Sequence, residues 1–213
     1  MRLMTMGVLM VAALGAGGCN ILAYPLYLIA PKPPAKTVEA EFDQLNDKSV
    51  AVLVYADMEI LCDYENVREQ LATAVNHQLS EHVSGVRPLN ALTVVRYQWG
   101  HPECESQDPA EVGRALGVDY VLYVSLKEFV AGGPGYSHLT KARISAAVSA
   151  HDTRPVLTGM RACRWRKDDL TVEEGDGAGA LTAGRRALRQ ATVKRFATAL
   201  VRSFYDHKAP AES

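Results

Sequence analysis

The sequence predicts an α/β (α+β) domain: a mixed sheet of about five strands with helices packed on it, in the order β-α-β-α-α-β-β-β-α, as one domain over residues 38–208. Three observations carry this. Ser49–Tyr55, SVAVLVY, is an unbroken valine-rich run, as in a strand covered on both faces. Val67, Leu71, Val75, Leu79 and Val83 recur every four residues, the apolar stripe of a helix. Lys141–His151 alternates: Ala142, Ile144, Ala146, Val148 and Ala150 point one way, and Arg143, Ser145, Ser149 and His151 the other. Strand and helix periods interleaved along one chain make an α/β sheet rather than a bundle or a sandwich.

The elements follow in order. Asp63 is placed to cap a helix over Tyr64–Val83, whose far face carries Glu65, Arg68, Glu69, Gln78 and Glu81. Val86–Leu89 reads as a short second strand. In Asn90–Trp99, Thr93, Val94 and Val95 favour a strand while Asn90 favours a helix start, and the segment is read as a short helix. Residues 100–107 form a loop. DPAEVGRALG, 108–117, holds a full helix signature: Asp108 as cap, Pro109 in the first position, Glu111 three residues after the cap, and Gly117 as the left-handed stop. VDYVLYVSLKEFV, 118–130, follows as the central strand, and Gly132, Gly133, Pro134 and Gly135 mark a loop.

Asp152–Pro155 turns the alternating strand into a return strand over Val156–Arg166. Residues 167–183, acidic and then glycine-rich, read as a flexible loop. A last helix spans Leu181–His207, with Leu188, Thr192, Ala199, Leu200, Ser203 and Phe204 near one stripe. Arg185, Arg186, Arg189, Lys194, Arg195 and Arg202 make this helix strongly basic, and residues 209–213 are a disordered tail.

The N-terminus has a different character. Arg2, the apolar run Leu3–Leu14 and the small residues Ala16, Gly17 and Gly18 have the layout of a secretory signal peptide over residues 1–18. As a helix the apolar run rises about 18 Å, short of the roughly 30 Å of bilayer hydrocarbon. Ala16-Gly17-Gly18-Cys19 resembles the lipobox of bacterial lipoproteins, with Ala16 where leucine is usual. The resemblance implies cleavage before Cys19, a thioether lipid and palmitate on that residue, and export to the periplasmic side of a bacterial membrane. Asn20, in place of the aspartate that marks inner-membrane retention in enterobacteria, favours the outer membrane. Residues 19–37 then form a tether in which Pro31, Pro33 and Pro34 favour extended chain. Its apolar part, Ile21–Ile29, either packs on the domain or lies in the bilayer interface.

With Cys19 lipidated, Cys62, Cys104 and Cys163 remain. An oxidising compartment allows one disulfide; Cys62–Cys104 is the best pair, and three unpaired thiols are the equal alternative. Catalytic signals are thin. His77 and His82 are five apart and diverge around a helix, so they cannot share a metal as an i, i+4 pair does. His101 and Cys104 lack a second ligand pair. Gly132–Gly135 lacks the Gly-Lys-Ser/Thr ending of a phosphate loop, and Asp168, Asp169, Glu173, Glu174 and Asp176 miss the calcium-loop spacing. No metal, cofactor or catalytic residue is assigned. With 23 basic and 24 acidic residues, global charge offers no argument for nucleic acid.

Leu116-Gly117-Val118-Asp119 before the central strand, and VSAHDTRPVL, 148–157, at the hairpin, are similar to stretches of a group of envelope proteins. The group comprises the lipoproteins that activate penicillin-binding proteins, the curli-secretion lipoproteins and the N-terminal domain of TolB. The resemblance covers residues 49–166 and concerns fold more than function; Arg154-Pro155 departs from the glycine often found there. With the lipobox and the proline tether, the reading adopted is a non-enzymatic, membrane-anchored lipoprotein acting by contact with an unidentified envelope protein. The alternatives are an accessory, oligomeric lipoprotein of a secretion or transport system, and a secreted hydrolase. Arg185, Arg186, Arg189 and Arg195 are the expected basic binding surface; Arg161, Arg164, Arg166 and Lys167, with Lys141 and Arg143, are a second basic set.

Overall fold

Ser49–Tyr55 forms a strand whose five central residues, Val50 to Val54, are all buried, and the domain is built outward from it. The computed structural model describes residues 35–130, 141–154, 161–175 and 178–210, the side chains of 35, 178–185 and 210 excepted. In chain order the elements are β1 (Ala35–Val38), β2 (Ser49–Tyr55), α1 (Met58–Asp63), α2 (Val67–His82), β3 (Arg87–Pro88) and α3 (Ala91–Gly100). A 3₁₀ turn (Pro102–Glu105) leads to α4 (Pro109–Leu116), β4 (Tyr120–Val130), β5 (Ala142–Asp152), β6 (Cys163–Glu174), α5 (Ala178–Val201) and β7 (His207–Pro210). Val38–His207 is one compact unit. β1 and β7 pair as a separate two-stranded ribbon.

The main sheet has five strands in the order β3-β2-β4-β5-β6. β2 runs parallel to β3 and to β4, with Val50 opposite Tyr120 and Tyr55 opposite Ser125; β4, β5 and β6 form an antiparallel meander. The two helical crossovers cover opposite faces. α1 and α2 bury Ile60, Val67, Leu71, Val75 and Leu79 against Val50, Val52 and Val54. α3 and α4 bury Val94 and Val112 against Ala51, Leu53 and Val121. Coverage on both sides is why β2 reads as a continuous apolar run. α5 joins α2 on the first face through Leu188, Val193, Phe196 and Leu200. The four stripe residues of α2 alone contribute roughly 6–12 kcal/mol of gross burial free energy, offset by chain entropy.

Local signals fix several element ends. Asp108 caps α4 by accepting from the Ala110 amide at 3.0 Å, Pro109 occupies the first turn, and Gly117 stops the helix at φ 70°. Asn90 settles the ambiguous segment as a helix by accepting from the Leu92 amide at 2.9 Å. Gly113 lets α4 approach the sheet closely, because a Cβ there would meet Val121 and Thr153 side chains.

The structure departs from the sequence reading in four places. The expected helix over Tyr64–Val83 begins later, at Val67, and a short helix that the sequence reading did not contain, α1, precedes it. Asp63, the expected cap, is the last residue of α1, Asp57 caps α1 by accepting from the Ile60 amide, and the chain breaks at Tyr64. That break buries the Tyr64 ring edge-on against Phe129, 4.7 Å between centroids. Arg68 and Gln78, expected to face water, are buried. The return strand begins at Cys163 and runs through the supposed acidic loop to Glu174. Leu170 and Val172 face the core there, while Glu173 and Glu174 pair with Arg143 and Arg195. The last helix ends at Val201, with a 3₁₀ turn after it. Gly132–Gly135 and Pro155–Val156 lie outside the described residues.

Candidate functional site

Among the described residues, a groove of about 820 Å³ lies between α2 and α5. Thr198 Oγ1 donates to Gln78 Oε1 at 2.9 Å and ties the two helices together at one end. Toward their N-terminal halves the groove opens. Ala74 and Val193 supply its small apolar part. The α2 wall carries Asn66, Glu69, Gln70, Thr73 and His77; the α5 wall carries Arg186, Arg189, Gln190 and Lys194. The spacing explains this: 66, 70, 73 and 77 form one polar helical stripe beside the apolar stripe 67, 71, 75 and 79. On α5, 186, 190 and 194 do the same beside the buried Leu188 and Val193.

The groove is electrostatically two-sided. Its cations are all on α5, and its one carboxylate, Glu69, is on α2. Among the described residues no ion pair joins Glu69 to Arg186 or Lys194 across it. The Arg189 guanidinium lies over the Tyr64 ring, 5.0 Å from its centroid, which orients that cation. The expected basic surface is thus divided. Arg186 and Arg189 line the groove, the Arg185 side chain lies outside the described residues, and Arg195 is turned toward β6, 2.8 Å from Glu174. Lys194, not among the four expected arginines, completes the cationic wall.

The second basic set is largely occupied by internal pairs. Arg143 lies 3.2 Å from Glu128 and 3.5 Å from Glu173, Arg164 lies 3.7 Å from Asp152, Arg166 pairs with Asp168, and Lys167 reaches Glu41 at 2.9 Å.

The two motif stretches act as structural latches. Asp119 accepts from the Ser49 amide at 2.9 Å and the Ser49 hydroxyl at 2.8 Å, and its own amide donates back to that hydroxyl, locking the start of β4 to β2. The Ser49 amide hydrogen bond, outweighing burial, holds this carboxyl below its ordinary pKa, with help from the Ser49 hydroxyl and Lys48. Asp152 is buried, which alone would raise its pKa; the hydrogen bonds and charges of Arg154 and Arg164 outweigh burial and lower it. Arg154 Nε and Nη2 both donate to this carboxylate at 3.0 Å, and Nη2 also donates to the Tyr120 hydroxyl at 2.9 Å. The arginine that departs from the glycine pattern therefore clasps the hairpin end onto β4.

Ser149 and His151 share a 2.8 Å hydrogen bond through Oγ and Nε2 on one face of β5. His151 Nδ1 is buried without a partner, so no carboxylate orients this pair as a third member would. Burial pushes the imidazole pKa down. His77 faces Glu81 at 3.7 Å, while His82 stacks on Tyr205. Among the described residues no group of three metal-ligating side chains occurs. Cys62, Cys104 and Cys163 are free thiols. The expected Cys62–Cys104 pair is not formed: Cys62 is exposed on α1, over one face of the sheet, and Cys104 is buried with Val94 and Val112 on the other. Cys19 lies outside the described residues.

No protein-family model matches the chain, and no curated protein matches it. Among solved structures it is similar to the PelC dodecamer from Paraburkholderia phytofirmans, at 11% identity over 78% of this chain and 96% of that chain, with a TM-score of 0.40. It is also similar to lipoprotein GNA1162 from Neisseria meningitidis, at 20% identity over 71% of this chain and 98% of that chain, TM-score 0.39. A minor lipoprotein from Acinetobacter baumannii shares 14% identity over 73% of this chain and 90% of that chain, TM-score 0.33.

Proposed function

We propose that this chain is a bacterial lipoprotein, anchored through Cys19 at the periplasmic side of a membrane, whose α/β domain works by protein contact rather than catalysis. The observation that carries the proposal is the run from Arg2 through Leu3–Leu14 to Ala16-Gly17-Gly18-Cys19. Charge, short apolar core, small residues and cysteine stand in the order that export and lipidation require. The proline-bearing stretch to residue 37 supplies the reach between lipid and domain. In the domain, the polar groups that most resemble catalytic ones serve structural ends: Asp119 and Asp152 are latched, and Ser149–His151 lacks an orienting acid. The α2–α5 groove is an open polar surface of the described domain.

The test is Cys19→Ser in a bacterial host fed a labelled fatty acid. The wild-type chain takes the label and sediments with membranes, and the variant does neither. Retention of the variant in the membrane pellet, through Leu3–Leu14 or Ile21–Ile29 acting as an anchor, would refute lipid anchoring.

A further inference from the structure

Resting on that protein-contact reading, we propose that the groove between α2 and α5 is a docking site for an extended acidic peptide segment of the partner protein. The cations carry the argument first. Arg186, Arg189 and Lys194 are spread along α5 over about 12 Å, at 1.5 Å per residue. A single phosphate or carboxylate is too small to reach all three, whereas an extended chain covers that length in about four residues. Arg186 and Lys194 are exposed and have no ion pair among the described residues, so their charge is available to a ligand.

The opposite wall decides for a peptide. α2 presents side-chain oxygens at Asn66, Glu69 and Thr73, which accept from the backbone N–H groups of a strand lying along the groove. Carboxylates on that strand then face α5. A bilayer surface fits less well: among the described residues the exposed large apolar side chains are Val38, Met58, Leu92 and Trp99, and of these only Leu92 borders a neighbouring concavity, none the groove itself. An acidic glycan finds no open tyrosine or tryptophan ring among the groove's lining residues, because Tyr64 is buried beneath Arg189. Opposing walls of acceptors and cations also set a polarity, since a basic peptide would meet the α5 cations directly.

The experiment is a fluorescence-anisotropy titration of the full chain in neutral detergent micelles with labelled octaglutamate. Octaserine, an oligogalacturonate of equal charge and phosphatidylglycerol incorporated into the micelles serve as competitors. Octaglutamate binds and octaserine does not, and affinity falls as salt rises toward a Debye length of about 8 Å. Arg186→Gln and Lys194→Gln each weaken binding about three- to fivefold, as exposed charge pairs do. Arg195→Gln, already committed to Glu174 outside the groove, leaves binding unchanged. Circular dichroism melts of the three variants, all surface changes, overlay the wild type. No binding of octaglutamate, or equal weakening by Arg195→Gln, overturns the proposal. Stronger competition by oligogalacturonate or by phosphatidylglycerol overturns it in favour of a glycan or a membrane. Failure here leaves the Cys19 labelling result untouched, so the two readings fail separately.

Discussion

Gly113→Ala sets two physical effects of opposite sign against each other. Alanine is the better helix former by about 1 kcal/mol at an interior position, so propensity alone predicts a more stable protein. Packing predicts the reverse. A Cβ at Gly113 would lie 2.4 Å from Val121 Cγ2 and 2.5 Å from Thr153 Cγ2, where carbon atoms ordinarily rest about 3.5–4.0 Å apart. Neither neighbour can swing away. Both are β-branched and buried, and the Thr153 hydroxyl donates to the Val118 and Asp119 carbonyls. Relief therefore requires α4 to lift by about 1 Å. Overpacking of this kind costs about 1–3 kcal/mol, and two simultaneous contacts place it in the upper half. The net loss is then about 1–2 kcal/mol, a fall of roughly 2–8 °C in Tm for a domain of this size. Gly100→Ala is the control, because nothing lies within 4 Å of its Cβ position. It should be neutral or slightly stabilising. Urea and thermal unfolding of both variants decide the matter, and a Gly113→Ala protein as stable as the wild type would refute the close approach of α4 to β4.

Two further outcomes follow from buried polar groups. Arg68, with 8% of its side chain exposed, donates to the Ala56 carbonyl and to Glu105; Arg68→Ala should cost about 2–4 kcal/mol in urea unfolding. Glu105→Gln, at a side chain 37% exposed that keeps an acceptor, should cost under about 1.5 kcal/mol. Acid should destabilise the fold in two windows, because each group concerned has a depressed folded pKa and the unfolded state binds more protons. The His151 contribution is present above its ordinary 6.5 and is lost as pH falls below that. The Asp119 and Asp152 contributions are lost only below their ordinary 3.8. Unfolding free energies from pH 8 to pH 3 should show both, and His151→Gln should erase the upper window while leaving the lower one.

Most of the fold was legible because its signals are local. SVAVLVY, DPAEVGRALG and the alternation from Ala142 to Ala150 each name a period and a boundary without reference to distant residues. What failed were places where tertiary contacts override local character. DDLTVEE carries four acids and reads as a loop, yet it is the far half of β6, since only two of its seven residues need face the core. Arg68 and Gln78 read as surface residues, and become buried because Glu105 and Thr198 arrive from distant elements to satisfy them. The sequence also holds no sign that Tyr64 would lie in a break before α2 rather than in its first turn, because the reason, Phe129, is far along the chain.

The site was half legible, and the missing half is instructive. Basic residues on α5 are visible by count, but a count cannot divide them. Arg186, Arg189 and Lys194 fall on one side of the helix and Arg195 on another, a separation of about 100° per residue that periodicity does contain. What periodicity cannot contain is the other wall. Asn66, Gln70 and Thr73 are unremarkable polar residues until the sheet sets α2 beside α5, and that neighbourhood depends on β5 and β6 extending the sheet under α5. The extension in turn needs β6 to pair with β5 through the acidic stretch misread as a loop. The groove and the misread strand are therefore one problem: without β6 the last helix has no platform, and its cations line nothing.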